Sequence, residues 1–324
     1  MYFDAHSDIW TDVTTRRLNG EKDILRKHHL DRLRRGGVEG SIFVIWVDPP
    51  YDTDYAKRTH QIMDCARAEI AECDEIRIVR SYDEMMQARA NGKFYVFIGV
   101  EGMAYIGEDL SKIDEYYDFG ARHAILTWNE ANALGAGALS GKTDGLTAIG
   151  KQAVRKVQDK GMILDVSHLN DAGFWDVVRL AAKPFIASHS NCRALCDVPR
   201  NLTDDQLRAI RDADGIVGIN SFNRFVHADP KQQTVDMLAR HAAHMIDVMG
   251  IDHVSCGFDF FEFINNSATM GSMTDADSPS TIGMEDCSKI PTLFSCFEKM
   301  GMTKEEADKI AYQNFHRLIK ELIG

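Results

Sequence analysis

Eight short runs rich in Val, Ile and Phe alternate with longer stretches of helical period, and this order limits the fold more than any other feature. The runs are YFDAH (2–6), SIFVIWV (41–47), FYVFIGV (94–100), HAILTW (123–128), MILDVSH (162–168), PFIASHS (184–190), GIVGINSF (215–222) and HVSCGFDF (253–260). Helical candidates lie between them at 54–78, 147–160, 170–182, 203–213 and 232–249, and two more, 291–300 and 303–322, close the chain. Continuously apolar strands separated by helices belong in a parallel sheet covered on both faces. Eight such units predict an α/β protein with a closed (β/α)8 TIM barrel, one catalytic domain over residues 1–324. A doubly wound open sheet is the alternative, and no G-x-G-x-x-G follows the first strand to favour it. The polar stretch NNSATMGSMTDADSPST (265–281) predicts a long loop, about 262–285, after the eighth strand, either a lid or partner contact or a plain surface insertion.

In such a barrel the C-terminal strand ends form the active face, so polar residues there carry special weight. The ends supply His6 and Asp8 after the first strand and Glu101 after the third. His168, His189 and Asp259 follow the fifth, sixth and eighth. Strand alternation sends His6 and Asp8 to one side, with Asp4 behind them. An exposed edge strand is the plainer account of that first segment taken alone. All six groups, however, are metal-ligand or acid–base types that the barrel would bring to one pocket. Three histidines and two carboxylates can hold two divalent ions, and Glu101 best fits a bridging position because Gly102 lets the backbone turn at once. The nitrogen and oxygen donors favour zinc, with manganese, iron and cobalt open at this stage. His28, His29, His60, His241 and His244 read as solvated helix faces, and His123 as the start of a strand at the wrong end of the barrel.

A net charge of -12, from 37 basic and 49 acidic residues, excludes a nucleic-acid surface and directs attention to small molecules. No apolar run approaches the roughly 18 residues of a membrane span, and the first residues read straight into a strand rather than a secretory leader, so no membrane association is expected. The seven cysteines include no C-x-x-C pair, which predicts packing thiols in a reducing, cytoplasmic compartment.

DAHSD (4–8), GVEG (99–102), LTWNEAN (126–132), GMILDVSHLN (161–170), PFIASHSNCRALCDVPRNLTDDQL (184–207), CGFDF (256–260) and GMEDCSKIP (283–291) occur together and in order. In these the chain resembles the membrane (renal) dipeptidase family, peptidase family M19, within the amidohydrolase-like barrels. The resemblance implies a zinc-dependent dipeptidase with two Zn2+. His6 and Asp8 would hold one ion, His168 and His189 the other, with Glu101 between them. It implies further that Asp259 handles the proton of the bridging water and that Arg200, in PRN, holds the substrate. Free dipeptides are the implied substrates, including those with a D residue at the C-terminal position, and a homodimer the implied assembly. One departure stands out: Trp128 occupies a position where many members have histidine. Its indole N–H is a single neutral donor, so steadying of the substrate or its oxyanion would pass to Asn129 or to the metals. The same site could serve N-acyl amino acids, lactones or cyclic amides, or persist in a binding protein that has lost catalysis.

Overall fold

The computed structural model describes residues 1–264 and 280–324; most of the expected loop at about 262–285 therefore lies outside the described residues. Its strands are β1 (Tyr2–Ser7), β2 (Val38–Trp46), β3 (Ile76–Ile78), β4 (Phe94–Glu101), β5 (Ala121–Ile125), β6 (Ile163–Asp165), β7 (Phe185–Ile186), β8 (Val217–Ile219) and β9 (Val254–Cys256). They pair in parallel in the order β1-β2-β4-β5-β6-β7, with β8 against β9. Isolated parallel bridges close the ring, Ala187 to Val217 joining β7 to β8 and Ser7 to Phe260 joining the segment that follows β9 to β1. The result is the expected (β/α)8 barrel, with β3 as an added edge strand on β4.

The helix expected over 54–78 is shorter: it spans Tyr55–Glu72, opens on an Asp54 cap that accepts from Lys57 N, and ends where Cys73 becomes extended. Ile76–Ile78, which completes an apolar face if read as helix, instead pairs with Phe94–Val96. Strand ladders also stop earlier than the apolar runs, because the chain bends at their ends to turn side chains inward. His168 and Asp259 take left-handed backbone angles, φ 69° and 59°. Such angles are uncommon for residues other than glycine and concentrate at functional sites.

Every residue of β4 is buried, as a parallel strand covered on both faces should be. Phe3, Phe43, Phe97 and Phe258 fill the core, where Phe97→Ala would cost about 3–5 kcal/mol. All seven cysteines are unpaired and buried. Among the described residues no helix is long and apolar enough to cross a membrane.

Candidate active site

Each strand end delivers its side chain by a local device. Asp8 stands at the N-cap position of the helix Ile9–Leu18 yet caps nothing, leaving its carboxylate to face His6. Glu101 is the last residue of β4, and Gly102 follows at φ 72°, where a Cβ would press on Trp128 at 3.2 Å. After His168 the chain runs into the helix Asp171–Leu180, capped by Asn170 through Gly173 N. The sharp exit keeps the imidazole over the barrel mouth.

The six strand-end residues converge. Glu101 Oε2 lies 3.2 Å from His6 Nε2, while its Oε1 lies 2.8 Å from His168 Nε2 and 3.7 Å from His189 Nε2. Asp8 Oδ2 and Asp259 Oδ1 each lie 3.8 Å from His6 Nε2. The Nε2 atoms of His168 and His189 face each other at 2.9 Å. His6, Glu101 and His189 form one cluster with metal-ligand spacing, and His6, Asp8 and Asp259 another. Both ring nitrogens of His6 and Asp8 Oδ1 are buried without a hydrogen-bond partner. Native proteins seldom tolerate this unless an ion or water completes the group.

Outer contacts fix which nitrogen faces inward. His168 Nδ1 lies 2.9 Å from Asn129 Oδ1, so Nδ1–H donates and Nε2 keeps its lone pair for the site. His189 Nδ1 is 2.7 Å from the Ser188 hydroxyl. Asp259 Oδ2 accepts from Asn220 Nδ2 at 3.1 Å. Asp4 Oδ1 accepts the Phe258 N–H at 2.8 Å, tying β1 to the segment that carries Asp259.

The electrostatics follow from burying so many charges together. Burial would lift Glu101, but His6 and His168 outweigh it and hold the carboxyl well below its usual range. Burial would lower His6, but Glu101, Asp8 and Asp259 push it up to about 10. Burial, reinforced by Glu101 and opposed by His6 and Arg200, raises Asp259 to about 6. Burial also raises Asp4, to about 7. His168 is brought down to about 4 by burial and the nearby Arg200.

A cavity of about 240 Å³ opens beside these groups, bounded by Asp8, Glu101, Asp259, Trp128 and Arg200 among others. Arg200 is 3% exposed. Its Nη2 reaches His189 O only at 3.4 Å, its Nε has no partner, and its guanidinium lies 5.3 Å over the Phe225 ring. Trp128, half-buried, also lines the cavity, its ring 5.2 Å from Trp46 and 6.3 Å from His168. Asn129, expected beside the substrate, spends its carbonyl on His168 while still lining the cavity.

Several residues escape the sequence reading. Asn220 sits inside an apolar run with nothing to mark it. His123 is not at the wrong end of the barrel: it is the middle residue of β5, fully buried, with Nε2 2.7 Å from Asp165 Oδ2. Two of the histidines assigned to solvated faces are also core groups. His29 lies between Asp12 and Arg32, and His241 accepts Cys192 N–H and lies 2.8 Å from Val226 O.

A (β/α)8 barrel whose mouth gathers three histidines and three carboxylates defines the class of metal-dependent, amidohydrolase-like hydrolases. The family model for membrane dipeptidases (peptidase family M19) matches residues 1–323, and the chain belongs to that family. It is a metallo-dipeptidase. It is 33% identical over 256 residues to a protein from the pqqA 5' region of Klebsiella pneumoniae, covering 76% of this chain and 89% of that one. Identity is 31% over 226 residues to an uncharacterized dipeptidase of Schizosaccharomyces pombe, covering 69% and 52% respectively. Among solved structures it is similar to a family M19 metallopeptidase, dipeptidase AC, with a TM-score of 0.86 at 26% identity over 100% of this chain and 98% of that one. A metallopeptidase from Rhodobacter sphaeroides, liganded with a phosphinate mimic of L-Ala-D-Ala, superposes with a TM-score of 0.83 at 26% identity, covering 100% and 99%.

Proposed function

We propose that this dipeptidase hydrolyses free dipeptides, including those with a D residue at the C-terminal position, with two Zn2+ held by His6, Asp8, Glu101, His168 and His189. The observation that carries the reading is Glu101, whose two oxygens face different histidines: Oε2 faces His6, and Oε1 faces His168 and His189. A carboxylate so placed fits a bridge between two cations, and the partnerless nitrogens of His6 and Oδ1 of Asp8 fit the same account. When bound, such ions would bring the pKa of a coordinated water toward about 7 and polarise the scissile carbonyl.

The chain's own groups do the rest. Arg200 offers a buried planar fork to the C-terminal carboxylate, which favours dipeptides over internal peptide bonds. Asp259, steadied by Asn220, accepts the proton of the attacking water and returns it to the leaving amine. Asn129 holds the His168 tautomer, and Trp128 closes the wall as a neutral surface. The cavity, smaller than the roughly 300 Å³ lower bound for drug-sized ligands, suits a substrate of two residues. The phosphinate-bound Rhodobacter relative supports acceptance of a D residue. We extend the reading to one catalytic domain over residues 1–324, a homodimer by family likeness, and a cytoplasmic setting supported by seven unpaired thiols.

The test pairs elemental analysis with turnover of L,L and L,D dipeptides and N-blocked controls on one sample. Close to two zinc per chain, with turnover confined to free dipeptides, is the expected result. Cleavage of the N-blocked controls at comparable rates would replace the dipeptide reading with acyl hydrolysis.

A further inference from the structure

Beneath the site lies a buried pair that no step above uses. His123 on β5 reaches across to Asp165 on the neighbouring β6, Nε2 to Oδ2 at 2.7 Å, and both residues are 0% exposed. Gly99 on β4 makes room for the ring: a Cβ there would stand 2.6 Å from His123 Nδ1. Nδ1 has no partner, so the tautomer that fits carries its proton on Nε2 and donates it to Asp165.

The other oxygen of Asp165 carries the consequence. Oδ1 accepts two backbone N–H groups, Ser167 at 2.8 Å and Ser188 at 3.2 Å. These residues immediately precede His168 and His189. One carboxylate thus ties together the two chain segments, leaving β6 and β7, that aim those imidazoles at each other. Further bonds reinforce the tie: His189 N–H donates to Ser167 Oγ at 3.3 Å, and the Ser188 hydroxyl meets His189 Nδ1 at 2.7 Å. A buried carboxylate keeps a fixed pose only while its oxygens are satisfied. His123 supplies the donor that Oδ2 requires.

We propose that His123 is a positioning residue: through Asp165 it sets the separation of His168 and His189, and so the affinity for the cation those two hold. The inference rests on reading His168 and His189 as ligands of one ion.

The experiment is a zinc titration of the metal-free, full-length protein against a chromophoric chelator. It compares the parent with His123→Phe, His123→Gln, Asp165→Asn and His168→Ala. In His123→Phe one of two zinc equivalents should weaken by about 10–100-fold, the usual cost of losing an outer contact to a ligand. The other should stay within about twofold of the parent, and kcat should recover at saturating zinc. His123→Gln, whose amide N–H can approach the position of Nε2–H, should restore most of the lost affinity. If His123→Phe fails to give the parent's circular dichroism, Asp165→Asn takes its place, with one equivalent again expected to weaken. Both equivalents unchanged, or both weakened alike, would overturn the proposal. Loss of one equivalent in His168→Ala but none in His123→Phe would remove the positioning role alone. No loss even in His168→Ala would remove the ligand assignment, and the positioning role with it.

Discussion

Asp259→Asn separates proton transfer from binding. Asparagine matches aspartate in shape, and its amide oxygen can still accept from Asn220 Nδ2, which lies 3.1 Å from Oδ2 now. That choice leaves an NH2 group where Oδ1 faces His6 Nε2 at 3.8 Å, a group unable to accept a proton. A positioned acid–base residue contributes typically 10²–10⁴-fold, so kcat should fall by that factor, about 2.7–5.4 kcal/mol at 1.36 kcal/mol per tenfold. KM should change by less than about threefold, because Arg200 is untouched. The assay is initial-rate hydrolysis of a free dipeptide with zinc measured on the same preparation. Turnover within about tenfold of the parent at equal zinc would refute the assignment. A matching loss of zinc and activity would instead make Asp259 chiefly a ligand, as its place in the cluster with His6 and Asp8 allows.

Arg200→Ala should lower kcat/KM for free dipeptides by about 10²–10³-fold and leave slow turnover of C-terminally amidated dipeptides nearly unchanged, as paired rate measurements would show. Removal of metal by a chelator should abolish turnover while preserving helical circular dichroism, and added zinc should restore it; His6→Ala should resist this restoration. Asp12 predicts a pH effect on stability. Burial would raise its carboxyl, but His29 and Arg16 hold it below the ordinary value of 3.8. Its contribution is present above that unfolded value and disappears as pH falls through the lower folded one. Asp12→Asn should therefore lower Tm at pH 7, by an amount matching about 1.5–3 kcal/mol, and narrow the gap from the parent below pH 4 in thermal melts.

The metal-type residues were legible because each ends an apolar strand, where a buried imidazole or carboxylate is conspicuous. The six side chains then meet as the barrel topology requires. Less legible was anything that depends on where a strand stops. Asp8 was read as a strand residue, yet it occupies a helix N-cap, and its convergence with His6 owes more to that turn than to alternation. His123 was misjudged because β5 begins two residues earlier, at Ala121, which moves the histidine from the strand's foot to its middle. Ile76–Ile78 carries no local mark separating it from the preceding helix, since only pairing with β4 makes it a strand. Asn220 and Ser188 act through hydrogen bonds between neighbouring strand ends, Asn220 Nδ2 to Asp259 and Ser188 N–H to Asp165, which neither composition nor period encodes.

The barrel's closure makes its site a latch. Among the described residues, continuous ladders join β1 to β7 and, separately, β8 to β9, while the two joints between these shells are spanned by isolated bridges, with Ser190 N–H to Gly218 O added at the β7–β8 joint. Asp259 stands across one joint from His6 and Asp8, and Asn220 reaches across the other to His189 O at 3.3 Å. Parting the shells would separate Asp259 from His6 and Asn220 from His189. If the proposed zinc site spans these joints, the amides of Val217–Ile219 and Val254–Cys256 should exchange measurably more slowly in the zinc-loaded protein than in the metal-free one.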